Sequence, residues 1–371
     1  MARTIDERLS SLKDRRKGGD RTQLLAEDNA AFAQYLSKLF TPEAWETKAT
    51  NKPYTRYALG AMQEVDADYT RISQETAMRV TNQLGKRVGA FDLEFRLQGS
   101  VPLNVHIRGV SDVDLLTLID GQFYNYDTYG VKALAGAYHA SPLTSLQQLS
   151  DLRKEEEPAL RRAFPKAAVD TSGSKAIKIS GGSLPRSVDV VPSHWYETAA
   201  YQQSGELHDR GVIILDRKAN RTVTNYPFKH IKLVSDRDAV VGGSLKKAIR
   251  LCKNVKSDSE RDIALPSFDI AAIMFHADQT ALRMGATYEL AILAETQRYL
   301  DYLYSHEEEA KQLEVPDGTR RIFDTQEKLG GLLSLSVEMD ELLKAVAEEH
   351  KGLRRVITND DARQVAAGVF I

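Results

Sequence analysis

Two stretches in the first third of the chain have the residue patterns of β-strands. Phe91 to Leu97 alternates apolar and polar residues, which predicts a strand with one buried face. Val113 to Ile119 is almost entirely apolar, which predicts a strand in the centre of a sheet. A Gly-Ser pair ends the first strand, and two aspartates flank the start of the second.

Further strands and a long helix surround these two stretches. Asp66 to Val88 predicts a long helix that leads into the first strand. Residues 176–180 and 187–191 predict paired strands joined by a Gly-Gly-Ser-Leu-Pro turn, and Gly211 to Asp216 opens a hairpin completed by residues 222–224. The pattern up to about residue 238 is that of a mixed α/β domain.

The pattern becomes helical from Ser244 onward. Helices are predicted over Ser244 to Val255, Ser267 to Phe275 and Ala286 to His306, and apolar residues recur at helical spacing from Leu329 to Val346. The predicted fold class is therefore α+β. It combines a mixed sheet and flanking helices (residues 1–238) with an all-helical C-terminal domain (residues 239–371), and Asp66 to Val88 is predicted as a spine helix that joins them.

The two ends of the chain have weaker patterns. Residues 1–20 are strongly charged and are predicted to be solvated, and Thr22 to Phe40 predicts an amphipathic helix. Thr358 to Ile371 has no helix stop signal and is predicted to be loosely attached.

The two aspartates, Asp112 and Asp114, carry the first chemical signal. Residues two apart on a strand point to the same face, so these carboxylates should project side by side. Adjacent carboxylates on a buried strand repel each other unless a cation lies between them. The pair therefore predicts a divalent metal site with the oxygen ligands that suit Mg²⁺.

Composition narrows the function class. The 371 residues carry a formal net charge of −2, without the overall basic character usual in duplex-binding proteins. No apolar run reaches eighteen residues, and the N-terminus lacks the apolar core of a signal peptide, so we expect a cytoplasmic protein that does not contact a membrane. The single cysteine, Cys252, excludes an internal disulfide and a multi-cysteine zinc site.

The order Gly-Ser, eleven residues, Asp-Val-Asp, with a strand on each side, resembles the nucleotidyltransferase superfamily of DNA polymerase beta. The resemblance implies that Gln98, the Gly99 backbone N–H and the Ser100 hydroxyl face the β- and γ-phosphates of a nucleotide. It also implies two Mg²⁺ ions, for which Mn²⁺ can substitute, bridged by Asp112 and Asp114. Such folds take a third carboxylate from a later strand, and Asp189 has that place here.

Over nearly the whole chain the order of elements resembles the bacterial cGAS/DncV-like nucleotidyltransferases, the CD-NTases of anti-phage CBASS systems. In that family a lysine of the helical domain and a serine about fourteen residues later grip the triphosphate, and Lys253 and Ser267 match this spacing. An aromatic residue after the serine often stacks on a base, and Phe268 has that position. A core role for Phe268 fits its place at a helix start equally well.

The resemblance implies synthesis of a cyclic di- or trinucleotide messenger from ATP and other nucleoside triphosphates, in anti-phage defence. It implies a monomer that needs no nucleic-acid template and acts on a downstream effector that binds the cyclic product. Activation by DNA is not expected, because the zinc loop of the animal relative needs a cysteine cluster that this chain lacks. The bases, the linkages and the ring size are not readable from the sequence.

The C-terminus supports a further expectation. In many CBASS operons a partner resembling ubiquitin-activating enzymes joins the synthase's C-terminal carboxylate to a target, which requires an exposed tail ending here at Ile371. The other interpretation is that Val369, Phe370 and Ile371 pack on the helical domain.

Two other function classes remain open at this stage. A terminal nucleotidyltransferase acting on RNA 3′ ends uses similar carboxylates, although it usually has a basic RNA-binding surface. An inactive nucleotide-binding module is the other, and it would be expected to lack one of the three aspartates, all of which this chain has.

Overall fold

The structure, a computed structural model, describes residues 3–17, 41–353 and 355–371. Contacts divide the chain into two units. The sheet unit comprises Asp66–Asn104 and Ser111–Leu233, and the helical unit comprises Val105–Val110, Val234–Ile371 and the described residues of Met1–Val65. The predicted division into residues 1–238 and 239–371 differs from this grouping, because the described N-terminal residues group with the C-terminal helices. The helix predicted over Thr22 to Phe40 lies outside the described residues.

The strands of the described residues follow the predicted order. They are β1 (Leu93–Gln98), β2 (Val113–Ile119), β3 (Asn125–Tyr126), β4 (Ala168–Asp170), β5 (Ile177–Ser180), β6 (Val188–Glu197), β7 (Gly211–Asp216) and β8 (Arg221–Asn225).

Each described region in which the sequence analysis predicts a helix contains one, and further helices were not predicted. Those of the described residues are α1 (Ile5–Lys17), α2 (Ala44–Lys48), α3 (Pro53–Met62), α4 (Ala67–Arg87), α5 (Val131–Leu134), α6 (Ser145–Ala163), α7 (Ala199–Ser204), α8 (Pro227–Val240), α9 (Ser244–Asp258), α10 (Ser267–Phe275), α11 (Gln279–Met284), α12 (Ala291–Ser305), α13 (Glu307–Ala310), α14 (Gln326–His350) and α15 (Asn359–Ala367).

The strands form one mixed sheet in the sheet unit. The hydrogen-bonded order is β1-β2-β6-β5-β4, and the C-terminal half of β6 also pairs with β3 and with the β7–β8 hairpin. β1 is antiparallel to β2, β2 is parallel to β6, and β5 is antiparallel to β6. β2 therefore has a strand on each side, as its apolar run predicts.

Both faces of the central strands are buried. On one face Leu115 belongs to a cluster that includes Leu84 of α4 and Leu152 of α6. On the other face Leu116 packs in a second cluster with Trp195 of β6. Burying an aliphatic side chain stabilises a fold by about 1.5–3 kcal/mol, so these two layers hold β2 and β6 firmly in place.

In the helical unit, buried ion pairs connect segments that are far apart in sequence. Asp258, at the end of α9, is fully buried and accepts hydrogen bonds from Arg15 (Nη2 to Oδ2, 2.7 Å) and from the Tyr57 hydroxyl (2.8 Å). Arg8 pairs with buried Glu338 of α14 at 2.7 Å. The interpretation of the N-terminal segment as a solvated charged face is therefore wrong for Arg8 and Arg15 of α1, which pair with buried carboxylates.

The prediction of a loosely attached C-terminus is also wrong for most of its length. Thr358 and Asp361 form a capping box that starts α15. Arg363 then binds Gln297 (2.6 Å) and Asp301 (2.8 Å) of α12. The residues beyond the helix are Gly368 to Ile371. The Phe370 side chain is 78% exposed and its ring lies 6.3 Å from that of Tyr288, whereas Val369 and Ile371 are half-buried.

A buried acid on α6 generates a pH prediction. Burial raises the pKa of Glu156 to about 8 from its ordinary value of 4.5. The folded protein then keeps a proton between these two pH values that the unfolded chain releases. The stabilising effect is complete below pH 4.5 and is lost as pH rises toward 8. We expect the free energy of unfolding to fall from pH 5 to pH 8 in the wild type and to stay flatter in Glu156→Gln.

Urea denaturation at each pH measures this slope. Glu155→Gln is the matched control, because Glu155 is the preceding residue and is exposed. Equal pH slopes for all three proteins would show that Glu156 ionises normally in the folded state.

Candidate active site

A row of four polar residues crosses the sheet where β1 ends and β2 begins. Asp114 of β2 is the register partner of Asp189 of β6. Gln98 of β1 lies opposite Asp114, and Lys178 of β5 lies opposite Asp189. Register partners on neighbouring strands project to the same face of a sheet, so these side chains form one polar line.

The line lies at the edge of an apolar surface. Continuing along β2 and β6 by two residues at a time, the same face carries Leu116 and Leu118, then Val191 and Trp195. The carboxylates therefore begin where the apolar packing of this face ends, and the opposite face is covered by α4 and α6. Rigid packing on both sides fixes the backbone under the carboxylates.

Gly99 follows Gln98 and leaves room for the Asp114 side chain. Its φ of +74° is in the left-handed region, which L-residues rarely adopt. A Cβ atom added there would overlap the Asp114 Oδ2 atom. Ser100 completes the turn and is half-buried. The glycine is thus needed both for the turn and for the space that the carboxylate occupies.

Asp112 and Lys178 form an ion pair at this site through Oδ2 and Nζ. This hydrogen bond raises the pKa of Lys178, and the charges of Asp189 and Asp114 raise it further. Burial raises the pKa of Asp189, as does the charge of Asp112, while Lys178 acts in the opposite direction. All three carboxylates and the ammonium group therefore interact electrostatically.

The carboxylate oxygens of this site are suitable ligands for a divalent cation, although the side chains do not converge on a single ion position. Within the described ranges, no group of three or more His, Cys, Asp or Glu side chains is placed to hold a metal ion. Carboxylate oxygens are nonetheless the ligands that Mg²⁺ takes. Asp112, Asp114 and Asp189 are the residues that fit the ion.

Buried Arg153 of α6 supports the strand that carries Lys178. Its guanidinium Nη2 donates to the carbonyl oxygens of Thr171 (3.1 Å), Gly173 (3.0 Å) and Ala176 (3.3 Å). These carbonyls belong to the loop that leads into β5, so the arginine fixes the entry of the strand.

Lys253, Ser267 and Phe268 belong to the helical unit. Lys253 of α9 is buried, and its Nζ donates to the Val105 carbonyl oxygen at 2.7 Å. Ser267 is exposed at the first turn of α10. The Phe268 ring is 38% exposed, and the Arg320 guanidinium lies 5.5 Å from its centroid. Phe268 is therefore partly open to solvent rather than a core residue.

Sequence reasoning missed Lys178. A signal for it exists, because Lys178 is the polar residue between Ile177 and Ile179, as Asp189 is between Val188 and Val190. Aligning the two predicted strands across their turn places the two polar positions opposite each other. The turn geometry that fixes this alignment was not predicted.

Known proteins with similar sequences identify the family of this chain. No protein-family model matches the chain. The chain is 43% identical over 357 residues to "Cyclic dinucleotide synthase CdnE" of Yersinia aleksiciae, covering 93% of both chains. It is 30% identical over 319 residues to a "c-di-GMP synthase" of Capnocytophaga granulosa, covering 80% of this chain and 85% of that protein.

A solved structure shares the fold. The STING-associated CdnE c-di-GMP synthase from Capnocytophaga granulosa superposes with a TM-score of 0.70 at 25% identity, covering 92% of this chain and 97% of that one. The mixed sheet with its helices is therefore the polymerase-beta-like fold of the CD-NTases. In the described residues no helix is long and apolar enough to span a membrane. The chain belongs to the CdnE cyclic dinucleotide synthases, a family of CD-NTase nucleotidyltransferases.

Proposed function

We propose that this enzyme joins two nucleoside triphosphates into a cyclic dinucleotide, with Asp112, Asp114 and Asp189 as its catalytic carboxylates. The observation that carries the proposal is the register of β1, β2 and β6, which aligns the Gly99-Ser100 turn with Asp114 and Asp189. In each of two steps a ribose hydroxyl oxygen bonds to an α-phosphorus, the bond from that phosphorus to the bridging oxygen breaks, and pyrophosphate leaves. The hydroxyl proton is released.

We assign the metal ligands as follows. Asp112 and Asp114 would hold both Mg²⁺ ions, or Mn²⁺ in their place, and Asp189 would hold the ion beside the attacking hydroxyl. When bound, such a pair lowers the pKa of the hydroxyl and neutralises charge at the α-phosphate.

The family resemblance assigns the triphosphate to Gln98, the Gly99 N–H and the Ser100 hydroxyl, and glycine allows a phosphate close to the backbone. The same resemblance assigns Lys253 and Ser267 to the triphosphate. Phe268, with its partly exposed ring, is assigned to a base.

We propose a cyclic dinucleotide rather than a trinucleotide because relatives that span most of the chain are named as dinucleotide synthases. A STING-associated relative supports a downstream effector that binds the cyclic product. We further propose a role in anti-phage defence, a monomer that needs no DNA activator, and a cytoplasmic site of action, where nucleoside triphosphates are available.

Conjugation of the C-terminal carboxylate of Ile371 is a separate proposal, and the structure limits its form. Four residues follow α15, and Arg363 binds α12 through Gln297 and Asp301. A partner resembling ubiquitin-activating enzymes that needs more than these four extended residues would first have to undock α15.

The direct test is to incubate the protein with Mg²⁺ and all four ribonucleotides, each labelled at the α-phosphate in turn. We expect phosphatase-resistant products with the mass of two nucleotide units, because a ring has no terminal phosphate. Label that enters only added RNA would instead establish a terminal transferase, and no transfer under any condition would favour an inactive binding module.

The metal ligands are tested by Asp112→Asn combined with Asp114→Asn. We expect product to fall to background, because neutral amides do not hold the Mg²⁺ ions. Circular dichroism and thermal denaturation should show an intact fold. Substantial product from a folded double variant would mean that the catalytic carboxylates lie elsewhere.

The role of Gly99 is tested by Gly99→Ala beside Gly121→Ala. Both glycines have positive φ (+74° and +67°), so each substitution should cost about 1–2 kcal/mol of stability. Only the Cβ at position 99 meets Asp114, whereas nothing lies within 4 Å of a Cβ at position 121.

We therefore expect kcat/KM to fall about 100-fold in Gly99→Ala, the scale expected when a reacting group is displaced by about 1 Å, and to change little in Gly121→Ala. Equal losses in the two variants would show that position 99 requires glycine only because of backbone strain.

A further inference from the structure

Lys178 is the basic residue that the site geometry adds to the three carboxylates. It lies on β5 opposite Asp189, and its Nζ contacts Asp112, which precedes β2. Its side chain is 44% exposed and that of Asp112 is 33% exposed, so both groups are accessible to ions from solvent. Arg153 fixes the loop before β5, which keeps the lysine backbone in this position.

The Lys178 ammonium group lies among three carboxylates. It contacts Asp112 through Oδ2 and lies opposite Asp189, which is the register partner of Asp114. Asp112 Oδ2 is also an oxygen atom that would ligate a divalent cation. The ammonium group and the cation would therefore occupy the same carboxylate.

We propose that Lys178 is the internal counter-ion of the metal site, which holds Asp112 in the metal-free enzyme and competes with the divalent cation for it. The inference rests on the proposed function, because it assumes that the three aspartates bind the ion. Lys178 is a positioning residue in this scheme. It keeps Asp112 oriented without metal and gives up the carboxylate when the ion enters.

Competition has a consequence that a purely structural role lacks. Removing the ammonium group should make metal binding tighter, since the ion no longer displaces a bound cation. The same change should make the metal-free protein less stable, because the carboxylates then repel each other without compensation. A lysine that only packed on the strand would weaken both properties or neither.

The first experiment titrates Mn²⁺ into the full chain without nucleotide and measures the free ion by electron paramagnetic resonance. We expect Lys178→Met, and Lys178→Gln as a second neutral variant, to lower the midpoint concentration about two- to fivefold, the scale of one partly exposed ion pair. Lys178→Arg, which keeps the charge, should stay near the wild-type value.

The controls fix where the ion binds. Lys154→Met removes a lysine from an exposed pair with Asp151 on α6, at 2.8 Å, and should leave the midpoint unchanged. Asp112→Asn with Asp114→Asn should abolish the binding. Equal or weaker Mn²⁺ binding in Lys178→Met and Lys178→Gln than in the wild type, including no binding in any of them, overturns the competition.

The second experiment measures thermal denaturation in the presence of a chelator. We expect Lys178→Met to lower the Tm by about 1–3 °C, and to have no such effect in an Asp112→Asn background. Additive shifts would show that the two side chains are not coupled. Failure of the proposed function appears separately, as absence of cyclic product from the wild type, whereas failure of this inference leaves that product unchanged.

Discussion

The parallel pairing of β2 with β6 is the constraint on which the site depends. It places Asp114 beside Asp189 in one register, and the neighbouring strands add Gln98 on one side and Lys178 on the other. A shift of one residue would turn a strand's carboxylate to the opposite face, where α4 and α6 pack. The apolar residues that follow the aspartates in β2 and β6 prevent that shift, because it would also exchange the two buried layers. The packing of the core therefore fixes the positions of Asp114 and Asp189 relative to each other.

Asp112, Asp114 and Asp189 concentrate negative charge at the site. Lys178 is paired with Asp112, and the raised pKa of Asp189 reflects first its burial and then the charge of Asp112. Such an arrangement is unfavourable for stability and favourable for recruiting cations. In the proposed reaction the nucleotide would bring further negative charge, which bound metal ions would help to neutralise. The family relationship shows the reaction class, and the register places Asp114 beside Asp189, as the proposed site requires.

Local sequence patterns predicted the central strands and several helices, among them α4, α9 and α10, because these depend on short-range periodicity. β2 matches its predicted bounds, and α10 does as well. The errors arose where a distant partner decides the outcome. The charge of Arg15 suggested solvation, yet its partner Asp258 is 243 residues away. Lys178 forms an ion pair with Asp112, which lies 66 residues earlier in the chain. Neither partner is visible in a local window, and the two contacts exist only once the fold is formed.

The most direct test of the central claim is to locate the metal. Crystals grown with Mn²⁺ and a non-hydrolysable nucleoside triphosphate would show the ions by anomalous scattering at the manganese edge. The account predicts two peaks about 3.5–4 Å apart, both in contact with Asp112 and Asp114 and one also with Asp189. Bound nucleotide with peaks only elsewhere, or with none at these carboxylates, would contradict the assignment of the active site.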